Sequence, residues 1–105
     1  MSNDVLDRLA ALIAARRAET ADKSYTRQLL DAGPARCAKK LGEEAVEAAI
    51  AASSGSEQEV LSEAADVLYH LLVVLESRNV PLARVLQELD RRMGTSGLAE
   101  KAARP

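Results

Sequence analysis

Two long helical patterns in the middle of the chain constrain the fold most, because each carries a pair of acids among apolar residues. Glu44 and Glu47 occupy positions i and i+3, and so do Glu63 and Asp66. Residues at this spacing lie on the same face of an α-helix. The small residues at 53–56 predict a turn that folds the two segments into an antiparallel hairpin. The acid pairs then lie at similar heights, about 10 to 15 Å from the turn at 1.5 Å per residue.

Hydrophobic periodicity predicts four helical segments and allows a short additional one. The four segments cover residues 3–19, 34–52, 57–78 and 81–93, and the short one covers residues 25–32. No part of the sequence shows the alternation of apolar and polar residues that is typical of strands. We therefore predict an all-α fold, in which residues 1–105 form a single domain built from the hairpin and its flanking helices.

The composition narrows the class of protein further. The chain is 48% hydrophobic and 29% charged, which excludes an intrinsically disordered protein. One cysteine, Cys37, allows neither an intramolecular disulfide nor a thiolate cluster for zinc, and we expect it in the core. The charge-free run at 67–75 is too short to span a bilayer, and the residues around the apolar run at 9–15 are wrong for a signal peptide. We expect a cytoplasmic protein without a membrane partner.

The charge distribution points to a cation site rather than a nucleic-acid surface. Residues 43–78 contain eight acids and a single base, Arg78, whereas the flanking parts carry more bases than acids. A nucleic-acid groove needs a continuous basic surface, so no nucleic-acid partner is expected. Facing carboxylates repel unless protons, basic side chains or cations neutralise them, and bases are scarce here. Oxygen ligands favour a hard cation, Mg²⁺ or Mn²⁺. We interpret His70, on the stripe of Glu63 and Asp66, as a packed residue or one that supports the ligands from behind, rather than as a ligand itself.

At this point the residues resemble a known group of enzymes, the MazG-like all-α nucleotide pyrophosphohydrolases. The pattern Glu-x-x-Glu at 44–47, followed by Glu-x-x-Asp at 63–66, is typical of that superfamily. Within it, the chain is most similar to the phosphoribosyl-ATP pyrophosphohydrolase family. The segments that carry this more specific resemblance are 23–26 (Lys-Ser-Tyr-Thr), 39–44, 63–72 and 96–102.

The resemblance implies an activity and a set of site residues. The activity is the hydrolysis of 1-(5-phosphoribosyl)-ATP to 1-(5-phosphoribosyl)-AMP and pyrophosphate, the second step of histidine biosynthesis. The implied metal ligands, for Mg²⁺ with Mn²⁺ as the second choice, are Glu44, Glu47, Glu63 and Asp66. The implied catalytic residues are Glu43, Glu44 and Glu47. The implied substrate-binding residues are Ser24, Tyr25, Thr26, Arg36, Lys39, Lys40, Lys101 and Arg104.

The apolar surface of the two central helices predicts a homodimer. Val46 and Ile50 on the first of them, with Tyr69, Leu72 and Leu75 on the second, form more apolar surface than short flanking helices can cover. We therefore expect hairpins from two chains to pack as a dimeric helical bundle. The family resemblance implies the same assembly.

Two other interpretations stay open at this point. The first is a house-cleaning enzyme of the same superfamily that hydrolyses canonical or aberrant NTPs and dNTPs. Such a site recognises the base closely, and this chain has only two Tyr for stacking. The second is a non-catalytic helical dimerisation domain, whose acidic side chains only form the solvated surface of a helical bundle. Pyrophosphate release from a panel of nucleotides distinguishes the first interpretation from the phosphoribosyl-ATP activity. A protein whose properties do not depend on Mg²⁺ would indicate the second interpretation.

Overall fold

The chain folds into five α-helices, as the computed structural model shows for residues 4–94, 101, 102 and 104. They are α1 (Asp4–Ala15), α2 (Tyr25–Ala32), α3 (Pro34–Ser54), α4 (Glu57–Ser77) and α5 (Leu82–Met93). A short 3-10 turn, Arg16–Ala18, follows α1. No strand occurs in these described residues, so the predicted all-α class is confirmed. The start predicted for the first helix, Asn3, lies outside them.

Local sequence signals set the ends of the two long helices. Pro34 opens α3 directly after Gly33, whose φ of 97° lies in a region that favours glycine. The side chain of Ser56 accepts a hydrogen bond from the backbone N–H of Glu59, and the carboxylate of Glu59 accepts one from the backbone N–H of Ser56. This capping box begins α4. A Cβ atom at Gly55 would lie 2.9 Å from the carbonyl oxygen of Ala51, so the connection needs glycine there.

Helices α3 and α4 form the predicted antiparallel hairpin, because only Gly55 and Ser56 connect two helices of 21 residues each. The two pack along their length, α1 packs against α4, and α2 packs against both α3 and α4. The buried apolar core combines residues from these four helices: Ile13, Leu29, Cys37, Leu72 and Val73. Cys37 is a free, buried thiol, as predicted.

The expected dimer surface needs a correction on α4. Leu72 is buried in the protomer's own core, and Tyr69 and Leu75 are half-buried and packed against that core. The prediction that these three residues need a second chain was wrong, because α1 and α2 already pack on that side of α4. The exposed large apolar residues of α4 are Val60, Leu61 and Leu68.

Apolar side chains on α3 and α5 are also open to solvent in the protomer. On α3, the side chains of Val46 and Ile50 are 61% and 60% exposed. On α5, Leu89 and Met93 are also exposed, and this helix makes few contacts with the other helices. Among the residues that the structure describes, no helix combines the length and the apolar character that crossing a membrane requires.

Candidate active site

Three carboxylates from the hairpin converge on one point. Glu44 on α3 and Glu63 and Asp66 on α4 each offer an oxygen atom, and these atoms all lie within 4.8 Å of one another. The first two side chains are half-buried, and that of Asp66 is exposed. The antiparallel hairpin causes the convergence, because residues at equal distance from its turn meet across the helix contact.

Glu63 is the member of this acid cluster (Glu44, Glu63 and Asp66) that has a buried oxygen atom without a hydrogen bond in the described part of the chain. Its Oε1 atom is enclosed and has no hydrogen-bond partner among the described residues. Burial raises the pKa of Glu63, and the charges of Glu47, Asp66 and Glu44 raise it further. A buried carboxylate oxygen without a partner is costly, and a cation would remove that cost.

Glu47, the fourth predicted ligand, lies beside the acid cluster rather than inside it. Its exposed side chain is close enough to contribute to the raised pKa of Glu63. Both residues line a surface cavity of about 300 Å³ at the turn end of the hairpin. The structure thus brings three of the four predicted ligands together and places the fourth next to them.

The same cavity reveals a residue that the sequence analysis did not include in the site. Glu59 lines it together with Glu47 and Glu63. Glu59 lies one turn before Glu63 on α4, so its i, i+4 spacing was the available signal. Its carboxylate is already engaged in the capping box with Ser56, which lowers its pKa.

Lys40 is the basic group at the edge of the acid cluster. Its Nζ atom lies 3.4 Å from Oε1 of Glu43 and 3.9 Å from Oε2 of Glu44. The nearby Tyr25 phenol raises the pKa of Lys40 most, and Glu43 and Glu44 add to the effect. The ammonium group therefore stays charged and partly compensates Glu44. Glu43, predicted to be catalytic, is exposed and paired with this lysine.

The predicted substrate-binding segment at the start of α2 has one exposed member. Ser24 is buried and caps α2, since its side chain accepts a hydrogen bond from the backbone N–H of Arg27. Thr26 is also buried, and its hydroxyl group shares a hydrogen bond with the hydroxyl group of Tyr69 on α4. Tyr25 is 50% exposed, and its ring meets that of His70 edge-on, at 6.2 Å between the centroids. Tyr25 is thus the member that faces solvent near Lys40.

The other predicted basic residues lie on exposed surfaces. Arg36 and Lys39 are exposed on α3, and Arg36 lies one helical turn before Lys40. Lys101 and Arg104 are exposed in the C-terminal part. Positions 96, 97 and 100 of the predicted tail motif lie outside the described residues. The substrate contacts of these four bases stay predictions.

The helical hairpin with a convergent carboxylate cluster defines a class of protein that can hold a hard divalent cation between two helices. The sequence model of one family, phosphoribosyl-ATP pyrophosphohydrolase, matches residues 6–93. A phosphoribosyl-ATP pyrophosphatase from Cereibacter sphaeroides is 59% identical over 95% of this chain and 97% of its own length. One from Methylobacterium nodulans is 56% identical over 99% of this chain and 97% of its own. The chain belongs to the phosphoribosyl-ATP pyrophosphohydrolase family, which confirms the resemblance seen in its residues.

Proposed function

We propose that the protein hydrolyses 1-(5-phosphoribosyl)-ATP to 1-(5-phosphoribosyl)-AMP and pyrophosphate, in the cytoplasmic pathway of histidine biosynthesis. The observation that carries this proposal is family membership along the chain. The two relatives described above, both named phosphoribosyl-ATP pyrophosphatase, are 59% and 56% identical to this chain over 95% and 99% of its length. Identity at this level, over nearly complete chains, supports a shared substrate.

The residues of the acid cluster fit a divalent metal ion. The donors are all carboxylate oxygens. Mg²⁺ and Mn²⁺ prefer such oxygen ligands, whereas softer metals prefer sulfur ligands. The enclosed Oε1 atom of Glu63 lacks a partner, as expected for an oxygen that binds a cation. In our proposal Glu44, Glu63 and Asp66 hold Mg²⁺, and Glu47 completes the set from its adjacent position. Held by these residues, a Mg²⁺ ion would supply charge neutralisation for the triphosphate and would make a bound water more acidic.

The chain's own residues then bind and orient the substrate around that centre. Lys40, already beside the acid cluster, contacts phosphate oxygens, and Arg36 and Lys39 extend the positive surface along α3. Tyr25 offers an exposed ring for the ribose or base of the nucleotide. Glu43 and Glu47 are the carboxylates available to accept a proton from the attacking water.

The open apolar stripe of α3 supports a homodimer. Val46 and Ile50 are more than half exposed, which is unfavourable for large aliphatic side chains that lie next to each other. They are one turn apart and present a continuous apolar surface on the hairpin. In our proposal the hairpin of a second copy covers this stripe, and the two chains form a helical bundle.

The decisive experiment is incubation with phosphoribosyl-ATP, with and without Mg²⁺, followed by identification of the products. We expect equal amounts of phosphoribosyl-AMP and pyrophosphate, formed only when Mg²⁺ is present. Canonical NTPs and dNTPs in the same assay separate this activity from that of a house-cleaning pyrophosphohydrolase. A preference for any of these nucleotides, or no Mg²⁺-dependent product, would overturn the proposal.

A further inference from the structure

Arg27, in the first turn of α2, holds the chain segment that connects α1 to α2. Its Nη1 atom donates hydrogen bonds to the backbone carbonyl oxygen of Arg17, at 2.7 Å, and to that of Glu19. Its Nε atom donates a hydrogen bond of 2.7 Å to the carboxylate of Asp31, one turn later on α2. Because the planar guanidinium group donates in several fixed directions, it can hold the connecting segment and its own helix at the same time.

Arg17 attaches the same connecting segment to the end of α4. Its Nε atom donates a hydrogen bond of 2.6 Å to the carboxylate of Glu76, and its Nη2 atom donates one of 2.8 Å to the backbone carbonyl oxygen of Glu76. Hydrogen bonds from a charged donor are stronger than those between neutral groups. Since the carbonyl oxygen of Arg17 accepts a hydrogen bond from Arg27, the two arginines connect the start of α2 to the end of α4.

Tyr25, the first residue of α2, depends on these attachments for its place beside the acid cluster. A helix of eight residues is marginally stable alone, so its contacts decide its orientation. The hydroxyl group of Thr26 attaches the first turn to Tyr69 on α4, and Arg27 attaches it to the connecting segment. Two attachments in different directions prevent the turn from rotating about either one. The Tyr25 ring thereby meets that of His70, which lies one turn after Asp66 on α4.

We propose that Arg27 is a positioning residue for substrate binding, whose hydrogen bonds to the connecting segment hold the Tyr25 ring where the nucleotide meets it. The inference rests on the proposed function, in which Tyr25 contacts the ribose or base. Tyr25 is 50% exposed, so half of its surface has no packing to hold it. A ring that is already in place loses less conformational entropy when the nucleotide binds. Arg27 therefore acts on the affinity for the substrate rather than on the chemical step.

The first test needs neither metal nor substrate. The chain contains two tyrosines and one histidine, so the nuclear Overhauser effects between their ring protons can be assigned. The centroid of the His70 ring lies 6.2 Å from that of Tyr25 and 4.9 Å from that of Tyr69. Arg27→Met replaces the guanidinium group by a side chain without a donor. We expect it to weaken the Tyr25–His70 effect and to leave the Tyr69–His70 effect unchanged. Wild-type strength in both would overturn the proposal.

The second test is steady-state kinetics with phosphoribosyl-ATP at saturating Mg²⁺. We expect Arg27→Met to raise KM about tenfold and to leave kcat within about twofold of the wild type. Asp31→Asn is the first control, because it removes the ion pair of Arg27 but leaves its hydrogen bonds to the connecting segment. Arg84→Met is the second control, because it makes the same chemical change at an exposed position on α5. Both controls should have the KM of the wild type.

An unchanged KM in Arg27→Met, or an equal rise of KM in Asp31→Asn, would overturn the inference. Thermal unfolding checks that the variants fold. Arg27→Lys keeps the charge but lacks the planar group, and it replaces Arg27→Met, with the same expected results, if that variant does not fold. Wild-type protein that does not hydrolyse phosphoribosyl-ATP would instead overturn the proposed function. The Tyr25–His70 effect would still test in that case whether Arg27 holds the ring.

Discussion

Glu44 on α3 and Asp66 on α4 each place a carboxylate oxygen within 4.8 Å of the other, across the contact between two antiparallel helices. With Glu63, they form a cluster in which Lys40 is the paired base, 3.9 Å from Glu44. One ammonium group does not neutralise three carboxylates. The proposed metal ion follows from this imbalance of charge.

Removing one negative charge from the acid cluster is expected to abolish Mg²⁺ binding and activity together. Glu44→Gln and Asp66→Asn keep the shape of the side chain but remove an anionic ligand. We expect each loss of Mg²⁺ affinity to be at least as large as the roughly 10- to 100-fold cost typical of outer-shell partners. Calorimetric titration with Mg²⁺ and pyrophosphate release measure the two effects.

The matched control for these substitutions is Glu57→Gln, in the first turn of the same helix α4. It makes the same chemical change at an exposed position outside the acid cluster. We expect its Mg²⁺ affinity to equal that of the wild type. Similar losses in the control and in the cluster variants would contradict a specific site.

The stability of the metal-free protein is expected to fall as pH rises through the raised pKa of Glu63. Burial and the charges of Glu47, Asp66 and Glu44 raise this pKa, so the folded state retains a proton that the unfolded state releases. Where the folded state binds more protons, stability decreases with increasing pH. Thermal unfolding in EDTA, as a function of pH, measures the effect.

Glu63→Gln removes this titrating group and should flatten the pH dependence in the same range. Added Mg²⁺ should raise the melting temperature of the wild type, because a ligand that binds only the folded state stabilises it. The increase should be smaller for the variant. Parallel pH curves for the two proteins would contradict the assignment to Glu63.

A charge on the apolar stripe of α3 is expected to weaken the proposed dimer. Val46 is 61% exposed in the protomer, so Val46→Glu should leave the protomer folded. Burying a valine side chain at the interface contributes about 1.5 to 3 kcal/mol to the free energy of association. Loss of this contribution should raise the dissociation constant of the dimer about tenfold or more. Sedimentation over a dilution series measures this constant.

Val5→Glu on α1 is the control, because Val5 has the same 61% exposure but lies outside the α3 stripe. It should sediment as the wild type does. A folded wild-type monomer at micromolar concentration would contradict the dimer itself.

The hydrogen bond between Thr26 and Tyr69 is expected to stabilise the attachment of α2 to α4. It joins positions 43 residues apart in the sequence, and Thr26 is buried. The variants Thr26→Val and Tyr69→Phe, with the double variant, form a cycle that isolates the interaction. We expect a coupling of about 0.5 to 1.5 kcal/mol in the free energy of unfolding by urea. Additive effects would show that the bond contributes nothing.

The sequence was sufficient to predict the parts of the fold that depend on local signals. The predicted segment 34–52 corresponds to α3 (Pro34–Ser54), and 57–78 corresponds to α4 (Glu57–Ser77). Helical periodicity, the Pro34 start and the capping box at Ser56 all act within a few residues. The first helix was predicted to reach residue 19, but α1 ends at Ala15 and continues only as a 3-10 turn.

Contacts between distant residues explain what the sequence did not predict. Tyr69 and Leu75 were expected to face a second chain, but α1 and α2 pack there, and periodicity alone does not say which partner covers an apolar face. The substrate contact expected of Thr26 stays a prediction, whereas the contact of its buried hydroxyl group with Tyr69, 43 residues away, gave no signal in the sequence. The acid cluster was easier to predict, because a short turn places residues at equal distance before and after it at the same height on the two helices.

The most direct test of the central claim is to determine where a metal ion binds. Crystals grown or soaked with Mn²⁺ allow the ion to be located by its anomalous scattering, independently of any assay. We predict a peak coordinated by Glu44, Glu63 and Asp66, between α3 and α4. A well-ordered structure at millimolar Mn²⁺ with no peak there, or with Mn²⁺ bound only elsewhere, would contradict the account.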